Sequence, residues 1–205
     1  MKSALETSFD PLLDAGWDYV DHPSLDDFRA ADWAVLERQR GPYQADQQGA
    51  QALRLLSASR DDPSFGYACN NYRHCLQSAT LAFQAGLDEE AVVVALLHDI
   101  GFIVCPTSHG AFSAALLGPY VDESHHWMLT HHALFQTHHI HEHPTIRSDL
   151  RERWRGHPHF AWTADFVARF DQNAIDPRGP FMPLEAFEPM VRRIFARPPR
   201  PLPLD

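Results

Sequence analysis

Apolar residues recur three and four positions apart over most of the chain. No stretch shows the period-two alternation of a half-buried strand. Residues 1–24, punctuated by Pro11, Gly16 and Pro23, read as irregular. Leu25, Phe28, Ala31, Val35 and Leu36 then form a stripe that predicts a helix over 25–40. Ser24 is its cap, Asp26 and Asp27 fill its first turn, and Gly41-Pro42 is its stop. A second helix is expected over about 44–56, followed by a loop containing Pro63 and Gly66. Cys75, Ala79, Ala82 and Phe83 share a face of a helix over 70–85. Asp88 caps the next helix, with Glu89 and Glu90 favourably placed against the helix dipole. That helix is apolar on nearly every side through Leu97, so it is central, and Gly101 is expected to end it. Further helices are expected from His109 to Leu117, from Glu123 to Gln136, from about Pro158 to Ala174, and from Pro183 to Ala196. The tail RPPRPLPLD reads as extended. The predicted class is all-α, a helical bundle in a single domain over 1–205. It has an N-terminal helical extension over 1–60, a core over 70–177, and a C-terminal helix and Pro-rich tail over 178–205.

Length and charge narrow this picture. A chain of 205 residues with 44% hydrophobic content can bury one core. Its formal net charge of -10 repels phosphate backbones, which argues against a nucleic-acid partner. The N-terminal stretch MKSALETSFD lacks the apolar run of a signal peptide, and no segment is long and apolar enough for a bilayer, so no membrane partner is expected. Cys69, Cys75 and Cys105 form no CxxC pair, which argues against a disulfide framework and a thiolate zinc site and points to a cytoplasmic protein. The unusual residue is histidine. There are 14, ten of them between His125 and His159, and neutral imidazole is the commonest protein ligand for metal ions.

The candidate chemistry centres on His98-Asp99 at the end of the buried helix. Burying such a pair uncompensated costs several kcal/mol, of order 2–7 for a polar group alone and more for a charge. Adjacent helical positions point about 100° apart. They still serve one site if it holds two metal ions about 3.5–4 Å apart. His74, His109, His132 and Asp171 are the further candidate ligands. His131 adjoins His132, and His125 lies on the same face, so spacing alone leaves that position open. Taken singly, each is readily a surface histidine or a helix-end carboxylate. Together they run His, His-Asp, His, His, Asp on successive helices, an order that chance explains poorly.

These residues carry a resemblance. From about Asn70 to Pro177 the chain resembles the HD-domain superfamily, whose pattern is a His, an HD pair and a late Asp. His109 and His132 match the extra histidines of its dinuclear subgroup. Within that subgroup, HCLQSA, LLHDIG and RFDQNAIDP look most like the mixed-valent diiron oxygenases, which include myo-inositol oxygenase and bacterial hydroxyphosphonate-cleaving oxygenases. NNYRHCLQSA, HHALFQ and GHPHF are most similar to the latter, in particular to the branch acting on 1-hydroxy-2-(trimethylammonio)ethylphosphonate. The resemblance implies two iron ions, Fe(II) and Fe(III), held by His74, His98, Asp99, His109, His132 and Asp171. His74, Asp99 and one other imidazole would hold one ion, and the remaining histidines and the bridge the second. It implies a small-molecule substrate and dioxygen as partners, in a monomer or homodimer, with cleavage of the C–P bond of a small 1-hydroxyphosphonate.

Two departures bear on specificity. Phe102 stands where the inositol enzyme has a lysine and a phosphonate enzyme a histidine, which argues against inositol as the expected substrate. Of the Tyr and Glu that the phosphonate enzymes carry before their first ligand helix, Tyr67 alone has a counterpart here. The candidate substrate contacts are Tyr67, Gln77, Phe102, His131, Gln136, Arg155, His157 and Arg169. Trp127, Trp154 and Trp162 offer faces to a quaternary ammonium, although core positions suit them better. Two other readings of the same ligands are an HD-type phosphohydrolase acting on a phosphate ester or nucleotide, and a non-catalytic metal module. The sequence leaves open what the His138–His143 tract does.

Overall fold

A computed structural model describes residues 16–201. The N-terminal segment expected to be irregular therefore lies partly outside the described residues, as does the end of the Pro-rich tail. Every regular element among the described residues is helical. The helices are α1 (Ala30–Ala58), α2 (Asn71–Gln84), α3 (Glu89–Leu97), α4 (His109–Leu117), α5 (Glu123–Gln136), α6 (Phe160–Phe166) and α7 (Leu184–Phe195). None is long and apolar enough to cross a membrane. The chain separates into two compact units, Met1–Asp46 and Gln47–Asp205.

In the first unit Ser24 caps a single 3-10 turn, Leu25–Asp27, by accepting from the Asp26 amide at 3.2 Å. Asp18 is tied to the helix behind it. Its amide donates to Gln39 Oε1 at 2.6 Å, and its carboxylate meets Arg38 at 2.7 Å. The expected stop at Gly41-Pro42 does not occur, because α1 runs through Pro42 without a break. Proline there removes one amide donor and crowds the carbonyl four residues back, at a cost of about 3 kcal/mol. Arg38, whose carbonyl is freed, is exposed, so water can satisfy it and the helix survives.

The second unit is built around α3. Ala91 through Leu97 are at most 3% exposed, and α2, α5 and α7 pack around them. This explains a helix without a polar face: burial on every side leaves none to hydrate. Each fully buried Val or Leu contributes about 1.5–3 kcal/mol. Asp88 caps α3 by accepting from the Ala91 amide at 2.9 Å. The helix ends at Leu97, ahead of the expected Gly101, and residues 98–104 continue as turns. Gly101 serves close packing instead. A Cβ there would lie 2.8 Å from Cδ1 of Phe112. Helices α4 and α5 begin and end where the sequence places them. They approach at Gly110, where a Cβ would lie 2.7 Å from the carbonyl oxygen of Leu129. The helix expected over 158–174 divides in two. After α6 the chain takes a π turn, Val167–Asp171, with the Gln172 amide donating to the Val167 carbonyl at 3.1 Å.

Glu90, buried in the first turn of α3, anchors three segments. Its carboxylate accepts from the Asp122 amide at 2.6 Å and from His125 Nδ1 at 2.8 Å, and it pairs with Arg197 beyond α7. Burial alone would raise its pKa. These donors, the Asp122 amide foremost, outweigh burial and hold it below the ordinary carboxylate value of 4.5. A depressed folded pKa stabilises the fold above the unfolded value, and that contribution disappears as pH falls through the folded pKa. Glu90→Gln is therefore expected to cost about 2 kcal/mol at neutral pH. It should also flatten the loss of stability below pH 4.5, as read from urea melts across the acid range.

Candidate metal centre

Four elements deliver the candidate ligands to one point. His74 comes from the second turn of α2, His98 and Asp99 from the turn that ends α3, His132 from the middle of α5, and Asp171 from the π turn. All five are buried, His98 and Asp171 fully. His109 opens α4 at the edge of the same cluster, with 15% of its side chain exposed. The sequence left His131 and His132 undivided. Helical geometry separates them by about 100°: His132 turns inward, and His131 stacks on Trp127 at 4.0 Å.

Main-chain carbonyls set the tautomer of every inward imidazole. Nδ1 lies 3.2 Å from the Ala174 oxygen in His74, 2.8 Å from Ala95 in His98, 3.1 Å from Pro106 in His109 and 2.8 Å from Leu129 in His132. A carbonyl only accepts, so Nδ1 carries the proton and the lone pair of a neutral ring sits on Nε2. Those Nε2 atoms converge on one another and on carboxylates. The His74 and His98 nitrogens are 3.1 Å apart, and His132 Nε2 is 3.0 Å from Asp99 Oδ1. Lone pairs at such distances repel unless a proton or a metal ion lies between them.

Asp99 stands between two halves of the cluster. Its Oδ1 faces His132 at 3.0 Å and His109 at 3.4 Å, while its Oδ2 faces His74 at 3.6 Å and His98 at 3.9 Å. Asp171 Oδ1 adds to the second half, 3.6 Å from His74 and 3.7 Å from His98. Two sets of donors are therefore close enough to hold a metal ion, His74 with His98 and Asp171, and His98 with Asp99 and His132. Asp171 Oδ2 is buried without a hydrogen-bond partner. An orphaned carboxylate oxygen costs about 1–3 kcal/mol or more when it bears charge, and a cation beside it removes that cost. The residues thus fit a metal ion.

The electrostatics are those of the metal-free cluster. Burial opposes charge on His98, but Asp99 and then Asp171 outweigh it and raise its pKa to about 9. Burial, followed by the charge on His98, lowers His74. Asp99 lies far below the carboxylate range, because His98 and His132 overcome the burial that would raise it. Asp171 is likewise lowered against its burial, chiefly by His98. Without an ion, a proton on His98 therefore sits among ionised carboxylates, and a metal ion would have to displace that proton in order to bind.

Surrounding groups hold the ligands in place. Asn71 Nδ2 donates to the Asp99 carbonyl at 2.9 Å, and Gln136 Nε2 donates to Asp171 Oδ1 at 3.0 Å. The sequence reading missed Asn71 and took Gln136 only as a substrate contact. Both could have been found by helical spacing, since Asn71 precedes His74 by three and Gln136 follows His132 by four.

A cleft of about 240 Å3 opens on the cluster, and His74, Asp99 and His109 form part of its wall. Tyr67, Phe102 and Gln136 also line it, as do His139, which the sequence reading left unassigned, and Phe65. Phe65 has φ 54°, a left-handed conformation that costs a bulky residue about 1–3 kcal/mol, and its ring lies 6.4 Å from that of Phe102. The other candidate contacts lie elsewhere. Gln77 donates to the carbonyls of Asp176 and Gly179, fastening a loop. Arg155 pairs with Glu152, and Arg169 with Asp165. His157 stacks on Trp127 at 4.2 Å. Trp154 meets Trp127 edge-on, and Trp162 meets His125. These indoles pack among imidazoles and do not line the cleft. No family model and no curated protein matches this chain.

Proposed function

We propose that this protein is a diiron oxygenase of the HD-domain type that uses dioxygen to cleave the C–P bond of a small 1-hydroxyphosphonate. One observation carries the reading: imidazole and carboxylate donors fall in two halves around Asp99, and a small cleft leads to them. Nitrogen and oxygen donors without thiolate suit iron. A pair of iron ions of unlike valence would supply the redox chemistry with dioxygen. The reaction balances as hydroxyphosphonate plus O2 giving a carboxylate plus phosphate.

The chain's own residues bind, orient and exclude. Asp99 and His109 face the cleft, so a substrate reaches the donors from their side. Phe65 and Phe102 give the cleft an apolar side against which the substrate's carbon skeleton would lie. Tyr67 and Gln136 offer polar atoms to orient the substrate. At about 240 Å3 the cleft is smaller than the 300–1,000 Å3 typical of sites for drug-sized ligands. None of its lining residues is Lys or Arg. A nucleotide would need more room, which weighs against a nucleotide phosphohydrolase.

The test is metal analysis and low-temperature EPR on partly reduced protein from iron-supplemented cells, with oxygen uptake. A coupled mixed-valent signal that shifts on adding a hydroxyphosphonate, with one phosphate released per O2 consumed, is the expected result. Redox-inert metal, no such signal, and oxygen-independent release of phosphate from esters would replace this reading with the hydrolase.

A further inference from the structure

Taking the reacting group from the oxygenase reading above, we propose that the carbon under attack carries an uncharged apolar substituent, an alkyl chain or an aryl ring, and that Phe65 selects for it. A row of rings leads from solvent to the metal donors. The Phe65 ring lies 6.4 Å from that of Phe102, Phe102 lies 5.7 Å from His109, and His109 lies 5.1 Å from His132. Ile140 and Ile175 line the same cleft. Phe65 is 65% exposed and Ile175 46% exposed, so apolar surface is left for a ligand to cover. Phe65 is also the one non-glycine residue with positive φ among the described residues, at 54°. A ring so exposed returns little burial energy to offset that backbone strain. Strain held at the mouth of a site, without packing to offset it, marks a position shaped for a ligand.

The polar groups of the wall offer a polar or charged substituent little. Asn70 Nδ2 donates to the carbonyls of Arg60 at 2.8 Å and Asp62 at 3.1 Å. Asn71 Nδ2 donates to the Asp99 carbonyl at 2.9 Å, and Gln172 Nε2 to that of Ala168 at 3.0 Å. These side-chain amides are spent on the main chain. Tyr67 and His139 remain for the oxygens of the reacting head. Asp99 is the one carboxylate among the described lining residues, and its oxygens face the ligand imidazoles. An ammonium group would meet ring faces but no counter-ion, and it would lose hydration on entering. A hydroxyl would give up hydrogen bonds to water that this wall does not return. An alkyl or aryl group loses nothing of the kind and gains by leaving water.

The experiment is calorimetric binding of phosphonates without the carbinol hydroxyl, which are not turned over, to full-length protein from iron-supplemented cells. The ligands are methyl-, ethyl-, propyl-, butyl- and benzylphosphonate, with 2-(trimethylammonio)ethylphosphonate and its neutral isostere 3,3-dimethylbutylphosphonate. Affinity is expected to rise by up to about fourfold per methylene from methyl to butyl, as for burial at about 0.8 kcal/mol each. The neutral isostere should bind about tenfold tighter than the ammonium, whose charge loses water without gaining a partner. Phe65→Ala should flatten the series while leaving methylphosphonate within about twofold, and helical circular dichroism should be unchanged because the ring is exposed. A flat series in the wild type overturns the proposal, as does binding of no member, an ammonium that binds tighter than its isostere, or a Phe65→Ala variant weakened equally for methyl and butyl. Oxygen uptake separates this outcome from that of the oxygenase reading. The trend on protein that consumes no O2 supports the apolar selectivity and removes the oxygenase, whereas O2 uptake with a hydroxyphosphonate and a flat series does the reverse.

Discussion

If the centre holds two metal ions, as proposed, Asp99→Ala is expected to abolish binding of both, while His109→Ala removes only one. Each oxygen of Asp99 faces a different half of the cluster, Oδ1 toward His132 and His109, Oδ2 toward His74 and His98. Losing the carboxylate therefore takes a donor from both halves, and it strips the charge that offsets bringing two cations together. His109 touches one half only and is partly exposed, so His74, His98 and Asp171 keep their geometry without it. Metal analysis after dialysis, with the helical circular dichroism of each variant as a check on folding, measures both outcomes. Full occupancy retained by Asp99→Ala would sink the assignment of the centre.

For Gln136→Ala, metal affinity should fall about 10–100-fold, as is usual when a partner that orients a ligand is removed. Gln136 Nε2 holds Asp171 Oδ1 at 3.0 Å, and no protein group fixes Oδ2. Without the amide, Asp171 Oδ1 loses the donor that fixes its orientation toward His74 and His98. The melting temperature of the metal-free protein should fall as well, since a second oxygen of the buried Asp171 loses its donor at a cost of about 1–3 kcal/mol. Unchanged affinity would return Gln136 to the role of a substrate contact.

Much of this architecture was legible because local signals agreed with it. Helices α4 and α5 keep their expected bounds, where Gly118-Pro119 ends one and acids open the next. The apolar run of α3 implied burial on every side, and the structure shows it. Illegible features depend on contacts distant in sequence or on solvent. Pro42 reads as a stop, yet water can satisfy the carbonyl it frees. The π turn at Val167–Asp171 leaves no pattern in composition, since an extra residue in a helical turn is tolerated only by the packing around it. Among the site residues, those on inward faces could be chosen by order along successive helices. The polar contacts could not, because Arg155 and Arg169 had acidic partners one turn away that claimed them.

Tethering each inward imidazole by its Nδ1 has a cost and a return in conformational entropy. A free histidine would lose rotamer freedom when it captured an ion, but here the main chain has already removed that freedom during folding. An arriving ion thus meets a cavity of set dimensions. Discrimination between ions of equal charge then falls to their radius and to how readily they shed water, and the protein can release and reload metal without refolding.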